Sequence, residues 1–120
     1  MSNTVMKLVY KIVPAQLWQE ILLSDIFHGS ELDLKDGFIH LSSFAQVFET
    51  AEKHFKVPGD LMIFAIKEID LAPNLKWETS RNGELFPHFY GAINARLIYF
   101  SKPLPFDSNG NHVFPDLLNA

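Results

Sequence analysis

An α+β fold is predicted for this 120-residue chain by three observations. Runs of strand formers at 8–13, 38–41, 61–66 and 95–100 read as extended segments. Two stretches between them place apolar residues at helical spacing. Strands and helices then mix without the strict alternation of a parallel α/β protein, which favours helices packed on a mainly antiparallel sheet. The length fits one domain with one core.

The elements follow in order. Residues 8–13 form a first strand, with Leu8, Tyr10 and Ile12 on one face and Val9, Lys11 and Val13 on the other. Pro14 suits the first helical position, and Leu17, Trp18, Ile21 and Leu22 recur as the stripe of a helix ending near Ser24. Residues 25–36, with Gly29, Ser30 and mixed charges, lose the pattern and read as a loop. A second strand covers 38–41.

Ser43 with Gln46 three residues on makes a capping box, so a helix starts there, and Phe44, Val47, Phe48, Ala51 and Phe55 form the face expected to pack on the sheet. Val57-Pro58-Gly59-Asp60 is a turn. The apolar run 61–66 suits a central strand covered on both sides, 75–78 adds a short strand with Trp77 inward, and 95–100 adds another. Residues 1–104 thus make the domain. Residues 105–120, with Pro105, Asn109-Gly110 and Pro115, make an irregular tail that packs on it through Phe106, Phe114, Leu117 and Leu118.

Composition excludes several function classes. Ten basic against fourteen acidic residues give a net charge of −4 with no lysine or arginine cluster, which disfavours bulk nucleic-acid binding. Without cysteine there is no disulfide, thiolate metal site or thiol nucleophile. No membrane-spanning run or signal-peptide pattern is present, so a soluble cytoplasmic protein is expected.

Two segments carry the chemistry. Gly37-Phe38-Ile39-His40-Leu41-Ser42-Ser43 places a histidine and two hydroxyls where a strand gives way to a helix, and Glu84-Leu85-Phe86-Pro87-His88-Phe89-Tyr90-Gly91 fits no simple helix or strand pattern. Their density of histidine, hydroxyl and aromatic groups predicts that they wall one pocket. His40, His88 and Glu78 are the candidate catalytic residues, and Lys11, Ser42, Ser43, Glu84, Phe86 and Tyr90 the candidate ligand contacts. One of the two serines is expected to cap the helix, and Glu84 to be a solvated turn residue. His28, His54 and His112 read as surface residues, and no metal-ligand spacing, phosphate loop or nucleophile elbow is present.

Through these two segments, together with the opening strand, Trp18, Gln46-Val47 and Lys76-Trp77-Glu78, the chain resembles the bacterial domain-of-unknown-function 952 family over roughly residues 8–104. The resemblance implies an ADP-ribosyltransferase-like fold, a split and mainly antiparallel β arrangement with two helices against it, which in active relatives holds NAD in a cleft. It departs at Lys11, which follows Tyr10 where the family typically has a histidine; in active transferases of this fold a first-strand histidine orients a ribose hydroxyl. An ammonium presents a different reach and charge. The expectation is a small cytoplasmic domain that binds a nucleotide-like or NAD-like molecule, with glycosidic or phosphoryl transfer as its chemistry and poor turnover of NAD. The alternative is a non-catalytic binding or interaction module that kept the fold and lost the chemistry.

Overall fold

The computed structural model describes residues 6–120. Eight strands and four helices run in the order β1 (Leu8–Pro14), α1 (Ala15–Ser24), β2 (Ile26–Phe27), α2 (Glu31–Asp36), β3 (Ile39–His40), α3 (Phe44–His54), β4 (Leu61–Lys67), α4 (Glu68–Leu71), β5 (Leu75–Thr79), β6 (Leu85–Phe89), β7 (Ile93–Asn94) and β8 (Ile98–Pro103). All strand pairs are antiparallel. The architecture is α+β.

The strands divide into sheets ordered β1-β4-β8 and β3-β6-β5, with a two-stranded β2-β7 ribbon beside them. β4 is central, as its unbroken apolar run requires. Its sheet carries a core on each face. Val9 and Val13 of β1 join Ile21 of α1, Phe27, Phe64, Ile66 and the inward side chains Ile39, Leu41 and Phe89 of the second sheet. Tyr10 and Ile12 face the other way and pack with Val47 and Ala51 of α3 and with Leu104 and Leu117 after β8.

Beyond their shared core, a backbone bridge joins the two large sheets. Tyr10 and Ser42 exchange backbone hydrogen bonds of 2.8 and 3.0 Å. β3 is short for a covalent reason. Leu41 donates its N–H to the Pro87 carbonyl at 3.0 Å, but proline has no N–H to return, so the β3–β6 ladder stops and the chain is handed to β1.

Several expectations are corrected. Residues 25–36 are not a loop: Ser30 and Asp33 form a capping box that starts α2, and Gly37 ends it at φ 86°, a conformation only glycine adopts freely. Glu84–Gly91 contains the regular strand β6. Pro14 closes β1 and caps α1 from outside rather than opening it, and Ala95–Leu97 is a 3₁₀ turn before β8. Four helices are present instead of two.

The α3 face is rotated from the one expected. The Ser43/Gln46 capping box is in place, and Val47 and Ala51 are buried with Gln46, but Phe44 is 42% exposed and Phe48 40%. Both rings lie at the edge of the sheet, Phe44 against Tyr10 and Phe48 against Phe114 of the tail. Leu22, Leu118 and Trp77 are likewise exposed, Trp77 giving its indole N–H to Glu68 at 2.9 Å. His112 is half-buried, between Phe106 and Phe114, with Nε2 on the Phe55 carbonyl at 2.9 Å.

The tail is tied down by polar bonds as well as by Leu117. The Tyr10 hydroxyl donates to the Leu117 carbonyl at 2.5 Å, and the Lys102 ammonium to the carbonyls of Asp116 and Asn119. Among the described residues no helix is long and apolar enough to cross a membrane.

Burial sets the expected cost of deleting aromatics. Phe64→Ala, in the two-sided core, should cost ~3–5 kcal/mol in urea unfolding. Phe48→Ala should cost roughly half of that, since its ring is only partly removed from water. Equal losses would show that the tail covers α3 more completely than this packing implies.

Candidate functional site

A cleft of about 490 Å³ opens where the two large sheets part, between α3 and the polar face of β6. Register decides what lines it. On β3 and β6, Ile39, Leu41, Pro87 and Phe89 turn to the core, so His40, Phe86 and His88 turn the other way. His40 and His88 are directly opposite. Because Leu41 and Pro87 are a hydrogen-bonded pair, the neighbouring histidines occupy a non-bonded position, where side chains come closest. Their ring centroids are 5.5 Å apart, and Phe38 packs edge-on against His88 at 4.1 Å and tilted against His40 at 4.6 Å.

Of the residues singled out in the sequence, Lys11, His40, Ser42, Glu84, Phe86 and His88 line the cleft, whereas Ser43, Glu78 and Tyr90 do not. Ser43 is the cap of α3. Glu78 and Tyr90 lie behind His88: Glu78 Oε1 accepts from His88 Nδ1 at 2.9 Å and from the Tyr90 hydroxyl at 2.6 Å. The Tyr90 bond first, and then the His88 bond, hold the Glu78 carboxyl below the ordinary glutamate range, and the same contact raises the Tyr90 phenol.

Glu78 is therefore an acceptor, and Nδ1 of His88 must carry the proton. That leaves Nε2. It has no partner among the described residues, and no buried side-chain nitrogen or oxygen lacks one, so Nε2 must reach solvent. His88 is otherwise buried and lines the cleft, so the solvent it meets is there. When neutral, His88 offers the cleft a basic lone pair from a fixed tautomer.

His40 is built differently, around a residue the sequence reading passed over. Asp33, 1% exposed at its side chain, accepts from His40 Nδ1 at 2.6 Å, from the His40 backbone N–H at 3.1 Å, from the Lys11 ammonium at 2.9 Å and from the Ser30 N–H at 2.8 Å. Burial pushes its carboxyl up, but the His40 ring, the Lys11 charge and the two backbone donors outweigh burial and hold it well below the aspartate range. Asp36 meets the other ring nitrogen of His40 at 2.9 Å. Two signals marked Asp33: a serine three residues before it and a glycine four residues after, the start and stop of a short helix.

Lys11 leaves β1 on the face of Val9 and Val13, as alternation requires. Its ammonium is already engaged, by Asp33 and by the His40 carbonyl at 2.8 Å. Burial lowers its pKa and the Asp33 charge works against that fall. Ser42 is also committed: Thr50 gives its proton to the Gln46 carbonyl, so the Ser42 hydroxyl donates to Thr50 at 2.9 Å. Gln46, a further residue the sequence reading used only as a cap, reaches across the cleft to Glu84 at 3.2 Å and to the Leu85 carbonyl at 2.7 Å. Among the described residues no group of three or more acids and histidines is arranged to hold a metal ion.

Asp33 makes the site and the fold inseparable. Asp33→Ala should cost ~3–5 kcal/mol in chemical denaturation, because it strands the buried Lys11 charge. Its folded-state pKa lies below the unfolded value of about 3.9, so its contribution is complete above roughly pH 4 and is lost as pH falls through the folded value. Unfolding midpoints of the native chain should therefore drop in acid more steeply than those of Asp33→Asn. Parallel curves would remove Asp33 from this role.

The geometry can be set beside known proteins. The sequence model of the family described as "Protein of unknown function (DUF952)" matches residues 12–100. No functionally curated protein matches. The crystal structure of protein CC0527 from Caulobacter crescentus superposes with a TM-score of 0.83 at 38% identity, covering 88% of this chain and 93% of that one. The solution NMR structure of CC0527 gives 0.76 at 38% identity, covering 86% and 89%. With three quarters of its length matched by the family model and its fold shared with CC0527, the chain belongs to the DUF952 family.

Proposed function

We propose that the cleft binds a nucleotide-like or NAD-like small molecule and that His88 serves in it as a general base. The observation that carries this reading is the Nε2 atom of His88, turned to the cleft by a carboxylate on Nδ1. A base needs a fixed lone pair at a site that admits a ligand, and this arrangement supplies it. The cleft volume lies within the usual range for small-ligand sites. Phe86 on its wall offers an aromatic surface for a base, and the net charge of −4 favours a small ligand over a polyanion.

An ADP-ribosyltransferase-like fold is part of the same reading. Two antiparallel sheets joined at the Tyr10–Ser42 bridge, with a cleft lined from both, support it. A cysteine-free chain also suits the reducing cytoplasm. One observation favours the second reading, a non-catalytic binding module. Lys11 spends its ammonium on Asp33 and the His40 carbonyl rather than presenting it to a ligand.

A thermal-shift screen with NAD, mononucleotides and phosphorylated sugars tests the reading. A specific ligand at a hundred times its Kd should stabilise the protein by ~2.7 kcal/mol, and Gln46→Ala, which removes a bridge across the cleft, should weaken the response. The native chain should hydrolyse NAD slowly or not at all. No response to any ligand would count against the cleft as a binding site, and robust NAD hydrolysis, compared with Lys11→His, would overturn the view that Lys11 suppresses that chemistry.

A further inference from the structure

We infer that His88 and His40 form an acid–base pair acting on a nucleotide phosphodiester, with His88 as the base and His40 as the acid. This deepens the reading above and rests on it. The two rings are opposite each other on adjacent strands, and each has Nδ1 on a carboxylate, Glu78 for His88 and Asp33 for His40. Each is thus left with Nε2 as its working atom. There the symmetry ends. Nε2 of His88 meets no partner among the described residues, whereas Nε2 of His40 faces Asp36 at 2.9 Å. Asp33 and Asp36 both accept, so His40 makes both contacts only with a proton on each nitrogen. An open lone pair on one ring, set opposite an N–H held against a carboxylate on the other, divides the roles into base and acid.

The groups around the pair are mixed in sign. His40 is faced by Asp33 and Asp36 of α2, by the Lys11 ammonium of β1 and by His88 of β6. His88 is faced by Glu78 and, across the β5–β6 ladder, by Lys76, whose ammonium lies over the Tyr90 ring at 5.3 Å. Asp36 is the contact that can be exchanged. It sits at the exposed end of α2, a six-residue helix whose only buried residue is Asp33, so its end is not held by apolar packing.

The step balances without a further reactant. His88 Nε2 takes the proton from water or a hydroxyl, whose oxygen bonds to phosphorus. The bond from phosphorus to the leaving oxygen breaks, and that oxygen takes the proton from His40 Nε2. Solvent returns one proton from His88 to His40. A phosphodiester needs this acid because its leaving group departs as an alkoxide. Cleavage of the nicotinamide bond does not, since that group leaves neutral, so a base and an acid set opposite each other suit the phosphodiester better.

The probe is 2′,3′-cyclic AMP, with turnover followed by ³¹P NMR and binding by thermal shift. The native chain should open the cyclic phosphate with a bell-shaped pH profile. His88→Gln and His40→Gln should each lower kcat by about 100-fold or more while still showing the ligand shift. Binding without ring opening by the native chain would overturn the acid–base pair and leave the binding site standing. Absence of both binding and ring opening would overturn the pair together with the reading beneath it. Ring opening that survives His40→Gln would overturn the acid role.

Discussion

A carboxylate removed from water persists as an anion only where donors replace its hydration, and Asp33 collects four from three parts of the chain. Lys11 comes from the first strand, Ser30 from the entry to α2, and His40 from β3 with both its ring and its backbone. Because each partner would itself be poorly satisfied without it, the four contacts stand or fall together. The packing around it leaves no slack. A Cβ at Gly29 would lie 2.8 Å from that of Asp33, so the turn into α2 can close only on glycine. Helix α2 has no apolar anchor of its own, and the Asp33 cluster does for it what Ile21 does for α1 and Val47 for α3.

The cleft follows from a second constraint, the interrupted ladder between β3 and β6. A proline in a strand flanked on both sides must leave one bond unmade, and at Pro87 the missing bond is the one owed to Leu41. Had the ladder continued, the helix cap at Ser43 would have been drawn into the sheet. Instead the chain crosses to Tyr10 and turns into α3, and Gln46 spans the resulting gap to Leu85. One residue without an N–H thus both opens the space and fixes the histidines in the close-approach register beside it.

What the sequence disclosed depended on whether a local rule or a distant partner set each feature. The α3 cap, the β1 alternation and the central β4 run obey local rules and were legible. The meeting of His40 and His88 was legible through density of unusual residues. The α2 helix was not, because Leu32 and Leu34 are two apart and exposed, which breaks the periodicity used to find helices, although Ser30, Asp33 and Gly37 mark its ends. Strand β6 was obscured by its own proline. Phe44 and Phe48 were misplaced for a different reason: helical spacing gives a stripe but not its rotation, and here the centre of the contact runs through Val47 and Ala51, with the aromatic flank left to the tail.

The chemical reading narrows once the polar groups around the cleft are followed to their partners. Lys11 answers Asp33, Lys53 answers Glu49 at 2.7 Å, Ser42 answers Thr50, and Gln46 answers Glu84. Lys11 would leave a strong cation in the cleft if it were free, and would dominate any ligand's orientation. Paired, it is electrostatically quiet, and its effect passes through Asp33 to the placement of the His40 ring. Lys11 is therefore a support of the histidine beside it. Nε2 of His88 faces the cleft without a protein partner among the described residues, and the character of the cleft follows from that nitrogen more than from the cation on β1.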